Sequence, residues 1–519
     1  MSPRVSLCLS AAAFFLYVGI VRSRYALFFY YVQCHPLMTH GRTVTNRRRT
    51  CIGSDILDDD SLLNIFYHCR PPVPLEGGDR DTMGLWDGGW ECEYWWYKLA
   101  WVCRRWRRLI LASPSYLGLS LVCRSGTPVA DMLEHSPPFP LIIDHIHAPH
   151  DITAEDEEGI LLALKNHDRV RRIRLRMSVL SLDRLIAALD DVFPMLEYLD
   201  IGPQFAPNWN GSLFPSTLRA PHLRHLVLFD ISLPIGPPLL AGLVTLSLQY
   251  THPSANFGSG ELLDQLKFML QLETLRITIY SPLSDQDIEE QLLQIPLSTH
   301  VTLPNVRWFE FNGPLASMRS VLPRITMPSL KIAEIIPTTF PDFAFSTYFV
   351  LQFVCKTENP RFGGVRVTFH DQCVVVTMYP HEWTDIPTLR MRDSWGGPVD
   401  GLVSTERRLC AMGPVFSEVE LLTLEDETSL EWHKGSSMRA DWHDLLGLFN
   451  KVRILHVAGG DLIEGLSCSL LPEDHGSSIE GLPDLRVLSC PKGSRVGKSC
   501  RSLIAVRRNA GHPVTLARH

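Results

Sequence analysis

The sequence predicts an α/β fold in which a short all-helical module is followed by an irregular array of strand-plus-helix units. Three observations predict it. Two amphipathic helical stretches follow residue 55, short β-rich runs return from about residue 117 at intervals of about twenty to thirty-five residues, and helix-like stretches fall between those runs. With 519 residues and 45% hydrophobic content, the chain has the apolar material for a module plus an elongated array.

The helical module is read from its caps and its periodicity. Asp58, Asp59, Asp60 and Ser61 precede Leu62, Leu63, Ile65 and Phe66, an acidic N-cap and first turn opening a short amphipathic helix that Arg70-Pro71-Pro72 ends. Residues 73–90 hold Pro74, Gly77, Gly78, Gly84, Gly88 and Gly89 among acidic groups and read as a loop insertion. A second helix is predicted from Tyr94 to Ala112, where Leu99, Val102, Cys103, Trp106, Leu109 and Ile110 form one apolar stripe. Arg104, Arg105, Arg107 and Arg108 take its solvated face. Ser113-Pro114-Ser115 closes it, because the residue before a proline is pushed out of helical conformation.

The array repeats an L-x-x-L-x-L/I pattern. Its clear copies are Leu196–Ile201, Leu223–Leu228, Leu243–Leu248 and Leu272–Ile277; weaker ones are Val306–Phe311, Val419–Leu424, Val452–Val457 and Leu485–Leu488. A proline stands two residues ahead of several copies, at Pro194, Pro221, Pro304, Pro328 and Pro483, where it ends one segment and feeds the next strand. Helices are predicted at Ser181–Val192, Gly260–Leu270 and Asp285–Gln294. One strand and one helix per unit, none able to bury its own apolar side, is the physical content of a leucine-rich-repeat-like solenoid. The pattern fades between about 336 and 415, where a hairpin at Val365–Tyr379 and a break or inserted subdomain are expected.

Several chemistries lack their residues. Thirteen scattered cysteines with no C-x-x-C pair fit reduced thiols better than a disulfide framework or a zinc site, so no metal is expected. A net charge of -7 gives no whole-chain reason to bind nucleic acid, and the arginines at 104–108 stand alone as a basic run on a helix. Pro491–Ser499 imitates a phosphate-binding loop, but only three residues separate Gly493 from Gly497 and Lys492 stands where glycine is required, so no cofactor is expected. The cluster His145, His147, His150, Asp151, Glu155, Asp156, Glu157 and Glu158 has no recognised ligand spacing and reads as an acidic connection with a helix start. No nucleophile motif argues for an enzyme.

The first fifty residues stand apart. Val5–Val21 is nearly all apolar and is flanked by Arg4, Arg22, Arg24 and the Arg47–Arg49 run. It is short for a membrane span and lacks a clean small-residue cleavage site, so an extension of little order, or a start placed too far upstream, is the expectation. Membrane association is expected only if this run is a real anchor; Asn210-Gly-Ser212, a formal glycosylation acceptor, would then matter. The competing reading is accordingly a membrane-tethered or secreted leucine-rich-repeat binding protein.

The segment Asp58–Phe66, followed by Leu99-Ala-Trp-Val-Cys-Arg-Arg-Trp-Arg-Arg-Leu-Ile110, resembles an F-box, in particular the F-box of large protein families in mushroom-forming fungi. Leu119–Cys123, Gly126-Thr127-Pro128, Pro140–Ile143 and the tail Gly511–Leu516 resemble those proteins as well, so the likeness covers nearly everything after residue 51. Two departures stand out: Leu57-Asp58 replaces the leucine-proline pair that often opens an F-box, and the insertion separates its helices. The resemblance implies a helical F-box module at 51–123 and a solenoid at 124–519. It further implies a cytoplasmic or nuclear substrate receptor that docks a Skp-type adaptor, and through it a cullin-RING ubiquitin ligase, while holding an unknown protein substrate. The adaptor-binding residues it implies are Leu57, Leu62, Leu63, Ile65, Phe66, Leu99, Val102, Cys103, Trp106, Leu109 and Ile110. An orphan scaffold that has lost adaptor binding is the remaining alternative.

Overall fold

The computed structural model describes residues 57–70, 95–146, 152–204, 214, 217–233, 237–250, 259–279, 300–314, 317–318, 321–337, 362–370, 373–380, 389–394, 416, 418–427, 442, 444–458, 462, 466, 482–490, 496–509 and 511–518. Residues 1–50, the insertion at 73–90 and the helix predicted at Asp285–Gln294 lie outside them. By internal packing the chain divides into Met1–Asn64 and Ile65–His519.

In the first unit the described residues are Leu57–Asn64. Asp58 Oδ1 accepts the Ser61 N–H at 2.7 Å, satisfying a donor that a helix start leaves without an intrahelical partner. Asp59 and Asp60 follow in the first turn of α1 (Asp59–His68), where negative charge favours the helix dipole.

In the second unit, the helix predicted from Tyr94 to Ala112 is two helices, α2 (Trp95–Ala100) and α3 (Arg104–Ala112). Between them Cys103 is extended, at φ -157° and ψ 170°, and its Sγ accepts the Trp106 N–H at 3.5 Å. Arg107 Nε donates to the Ala100 carbonyl at 3.0 Å. Groups exposed by the break are thus satisfied locally, a provision that apolar spacing alone does not reveal. Ser113-Pro114 ends α3 as predicted, and the same proline opens α4 (Pro114–Leu117), since a ring without an N–H suits a first helical position. Gly118 stops α4 at φ +64°, where a side chain would be strained.

The next described elements are strands with helices between most of them: β1 (Leu121–Cys123), α5 (Val129–His135), β2 (Leu141–His145), α6 (Ala154–Leu164), β3 (Val170–Met177), α7 (Val179–Ala188), β4 (Tyr198–Pro203), β5 (His225–Phe229), α8 (Pro237–Leu240), β6 (Thr245–Tyr250), α9 (Ser259–Leu266) and β7 (Thr274–Ile279). Next come β8 (Val301–Thr302), β9 (Trp308–Gly313), β10 (Ile325–Thr326), β11 (Ile332–Pro337), β12 (Phe362–Phe369), β13 (Cys373–Pro380), β14 (Leu389–Ser394), β15 (Leu421–Asp426), β16 (Ile454–Ala458), β17 (Val487–Cys490), α10 (Val496–Asn509) and β18 (Thr515–Arg518). The predicted helices at 181–192 and 260–270 correspond to α7 and α9. The sheet begins at Leu121, inside the stretch expected to be the helical module.

Sixteen strands form one mostly parallel sheet, and from β1 to β7 and from β15 to β18 each strand lies beside the next in the chain. Paired positions in these stretches lie between 20 residues apart, for Leu121 with Leu141, and 33 apart, for Leu421 with Ile454. All eight copies of the apolar pattern lead into strands. In register, Leu199, Leu226, Leu246, Leu275 and Phe309 are successive neighbours across the sheet and wholly buried. Ile201, Leu228, Leu248, Ile277 and Phe311 do the same two positions on. Between β9 and β11 the unit also repeats outside the main sheet: Trp308 pairs with Ile332 and, in the small β8–β10 ladder, Val301 pairs with Ile325, each 24 positions on.

The irregular stretch is not a break. The hairpin predicted at Val365–Tyr379 is β12 and β13, antiparallel to each other, and β14 returns antiparallel to β13. These strands enter the main sheet in reversed order, β14 against β11 and β12 against β15, both pairs parallel. The backbone ladder continues through the insertion because both of its outer strands point the way the flanking sheet does.

At the far end, α10 takes in 496–499 of the stretch that imitates a phosphate loop. Its Arg507 is fully buried and donates through Nη2 to the Leu482 carbonyl at 2.7 Å, bracing a residue held at φ +49°.

Leu246 sits at the middle of the stacked apolar rows, between Leu226 and Leu275. Leu246→Ala is expected to lower unfolding free energy by about 2–5 kcal/mol, measured by urea denaturation followed by circular dichroism.

Candidate protein-docking surfaces

The helical module sorts its apolar residues into interior and surface. Phe66 and Trp106 meet edge-on with ring centroids 4.7 Å apart, and Phe66, Leu109, Ile110 and Leu117 are buried. Trp96 and Ala100 are buried on α2, with Trp96 edge-on to Phe139 at 5.9 Å. Among the expected adaptor-binding residues, then, Phe66, Leu109 and Ile110 belong to the interior, as does Leu62 by its own burial in the first unit. Leu63, Ile65, Leu99, Cys103 and Trp106 are half-buried, whereas Leu57 and Val102 are exposed. A continuous helix would put the members of the apolar stripe on one side; the break at 101–103 turns Val102 outward.

That break also exposes a residue the stripe did not include. Trp101 is 74% exposed beside Val102 at 51%, and Tyr67 and Tyr116 form a second exposed pair with ring centroids 5.5 Å apart. Both pairs set large apolar side chains against water. The arginines beside them follow expectation, Arg104, Arg107 and Arg108 being exposed.

The other face of the sheet, opposite the stacked leucines, carries polar side chains that are buried or half-buried. Side chains alternate along a strand, so Tyr198 and Asp200, His225 and Val227, Thr245 and Ser247, and Arg276 and Glu310 lie across from the apolar rows. Opposite charges meet between strands there: Arg174 Nη1 is 3.6 Å and Arg124 Nη2 3.4 Å from Asp144, Arg176 Nη2 is 2.7 Å from Asp200, and Arg276 Nε is 3.2 Å from Glu310. Such cross-strand pairs hold register as well as charge. None of these arginines was singled out from the sequence. The signal was the alternation in Val170-Arg-Arg-Ile-Arg-Leu-Arg-Met177, a further copy of the apolar pattern in which arginine fills the variable positions.

The described members of the histidine and acid cluster lie on two elements. His145 is buried on β2, and Asp156 lies in the first turn of α6, its carboxylate accepting from Ser125 Oγ and the Gly126 N–H, each at 2.7 Å. His147, His150 and Asp151 lie outside the described residues. Among the described residues no three metal-ligating side chains converge, and no helix is long and apolar enough to cross a membrane. Burial pushes the His145 imidazole below its ordinary range, against the smaller pull of Asp156 and Asp144. Its folded pKa thus lies below the unfolded value, and the unfolded chain takes up the proton first as pH falls. Stability from this residue is present above about pH 6.5 and lost on acidification below it. The fall in melting temperature between pH 7.5 and 5.5 is therefore expected to be smaller in His145→Leu than in the parent chain, read by differential scanning fluorimetry.

No protein-family model matches the chain, and no curated protein matches it either.

Proposed function

We propose that this chain is the substrate-recognition subunit of a Skp-cullin-F-box ubiquitin ligase, and that it is a scaffold with no catalytic group of its own. The observation that carries the reading is the exposure of Trp101 and Val102 at the break between α2 and α3, within the segment that resembles an F-box. Residues that a module needs for its own packing are buried; these two are held outward by a backbone turn whose free groups are otherwise satisfied, an arrangement suited to a partner's apolar groove. The parallel sheet with in-register leucine rows is the second support, because it matches the strand half of a leucine-rich-repeat solenoid, whose open sheet face holds ligands. In this reading the module binds the adaptor, the sheet face binds the target, and the chain works in the cytoplasm or nucleus. Ligase and target held on one chain react at a raised effective concentration and in a fixed geometry.

The test is capture of purified Skp-type adaptor by the full chain. The parent chain is expected to retain the adaptor, and a Trp101→Ala, Val102→Asp double variant to lose at least about tenfold in affinity, with an unchanged circular dichroism spectrum because both side chains are exposed. Retention by neither protein, or equally by both, overturns the reading.

A further inference from the structure

β18 stands at the end of the sheet. It pairs in parallel with β17, and no described strand pairs with its other side. The Thr515 N–H donates to the Arg486 carbonyl at 2.8 Å. Successive residues of a strand turn their backbone groups to opposite sides, so the N–H and carbonyl of Leu516 point away from β17.

The leucine side of this edge is incomplete. Leu422, Leu455 and Leu488 are successive neighbours on β15, β16 and β17, and all three are buried. Leu516 is the next in register and is only half-buried. At the opposite end of the sheet the edge strand β1 has all three of its side chains buried. On the other face of β18, Thr515 and Ala517 are exposed. Strand edges are ordinarily guarded against further pairing by charge, proline or a bulge. From Thr515 to Ala517 this edge carries neither charge nor proline, and its register with β17 runs unbroken from Thr515 to Arg518.

We propose that β18 is an interface between two copies of this chain, paired antiparallel about a two-fold axis that passes through Leu516 normal to the sheet. Such an axis keeps the leucine sides of both copies on one side. It lets the Leu516 backbone exchange two hydrogen bonds with Leu516 of the second copy, and it sets Thr515 of each copy opposite Ala517 of the other. Leu516 then gains on its open side the kind of wall that Leu488 supplies on the other, and the buried row closes on itself. A second copy is the fitting occupant because this edge is complementary to itself: an apolar residue lies on the axis, and the residues that meet across the seam are small and uncharged. The inference stands apart from the ligase reading.

The experiment is equilibrium sedimentation of the full chain. From about 1 to about 100 µM the mass is expected to rise from one copy toward two and no further. Thr515→Lys with Ala517→Lys places like charges opposite each other twice across the seam and should weaken association at least about tenfold. Thr515→Lys with Ala517→Glu places opposite charges there and should bring association back to the parent's strength or above it. Both positions are exposed and keep their backbone bonds to β17, so circular dichroism should be unchanged in either variant. A single copy at every concentration, growth beyond two copies, or equal association in the two variants overturns the proposal.

Discussion

Each strand of this sheet carries apolar side chains that it cannot bury by itself, and the second unit exists because the next strand supplies the missing wall. Leu226 is covered only when Leu199 and Leu246 stand on either side of it, and the same holds two positions further on for Leu228 between Ile201 and Leu248. What must be kept from one unit to the next is strand register and the two or three apolar positions that go with it. The connection between strands carries no such demand. Closing a longer loop costs little more than closing a shorter one, which is why spacings from 20 to 34 residues coexist along one sheet.

This constraint also explains what could be read from the sequence. Copies such as Leu243-Val-Thr-Leu-Ser-Leu248 were legible because their variable positions are unremarkable and their leucines stand out. Val170–Met177 was not, because arginine at 171, 172, 174 and 176 gives the run the look of a charged surface, although Val170, Ile173 and Leu175 hold the same three places. Leu330-Lys-Ile-Ala-Glu-Ile335 shows through Pro328, two residues ahead of it, more than through its own pattern: Ala333 fills a place where leucine is usual, yet it pairs in step with Phe309. The module shows the converse fault. A stripe from Leu99 to Ile110 implies one straight helix, but the Cys103 thiol and Arg107 supply hydrogen bonds that make an interruption inexpensive, and the break decides that Trp101 and Val102 face water while Leu109 and Ile110 do not.

The two faces of the sheet divide their work. The leucine side is dry and stacked, so its residues have almost no freedom to change. On the opposite side, pairing between neighbouring strands neutralises most charge without fixing its identity: Arg174 answers Asp144 and Asp200, whereas Arg276 answers Glu310. The pairs on this face thus differ from one stretch to the next while the leucine rows beneath stay the same.

The reversed strands β12, β13 and β14 follow a rule of parity. A parallel ladder has a direction, and a stretch inserted between two of its members preserves that direction only if each strand that points backward is followed by one that points forward again. Here β14 takes the place that the next unit would have had beside β11, leaving β13 and β12 as the added pair, one pointing each way. The strand that follows, β15, therefore finds an edge of the same sense that β11 offered, and the leucine rows resume in phase at Leu422 and Leu424. Growth of such a sheet by hairpins is thus permitted, while growth by a lone antiparallel strand would leave everything beyond it running the wrong way.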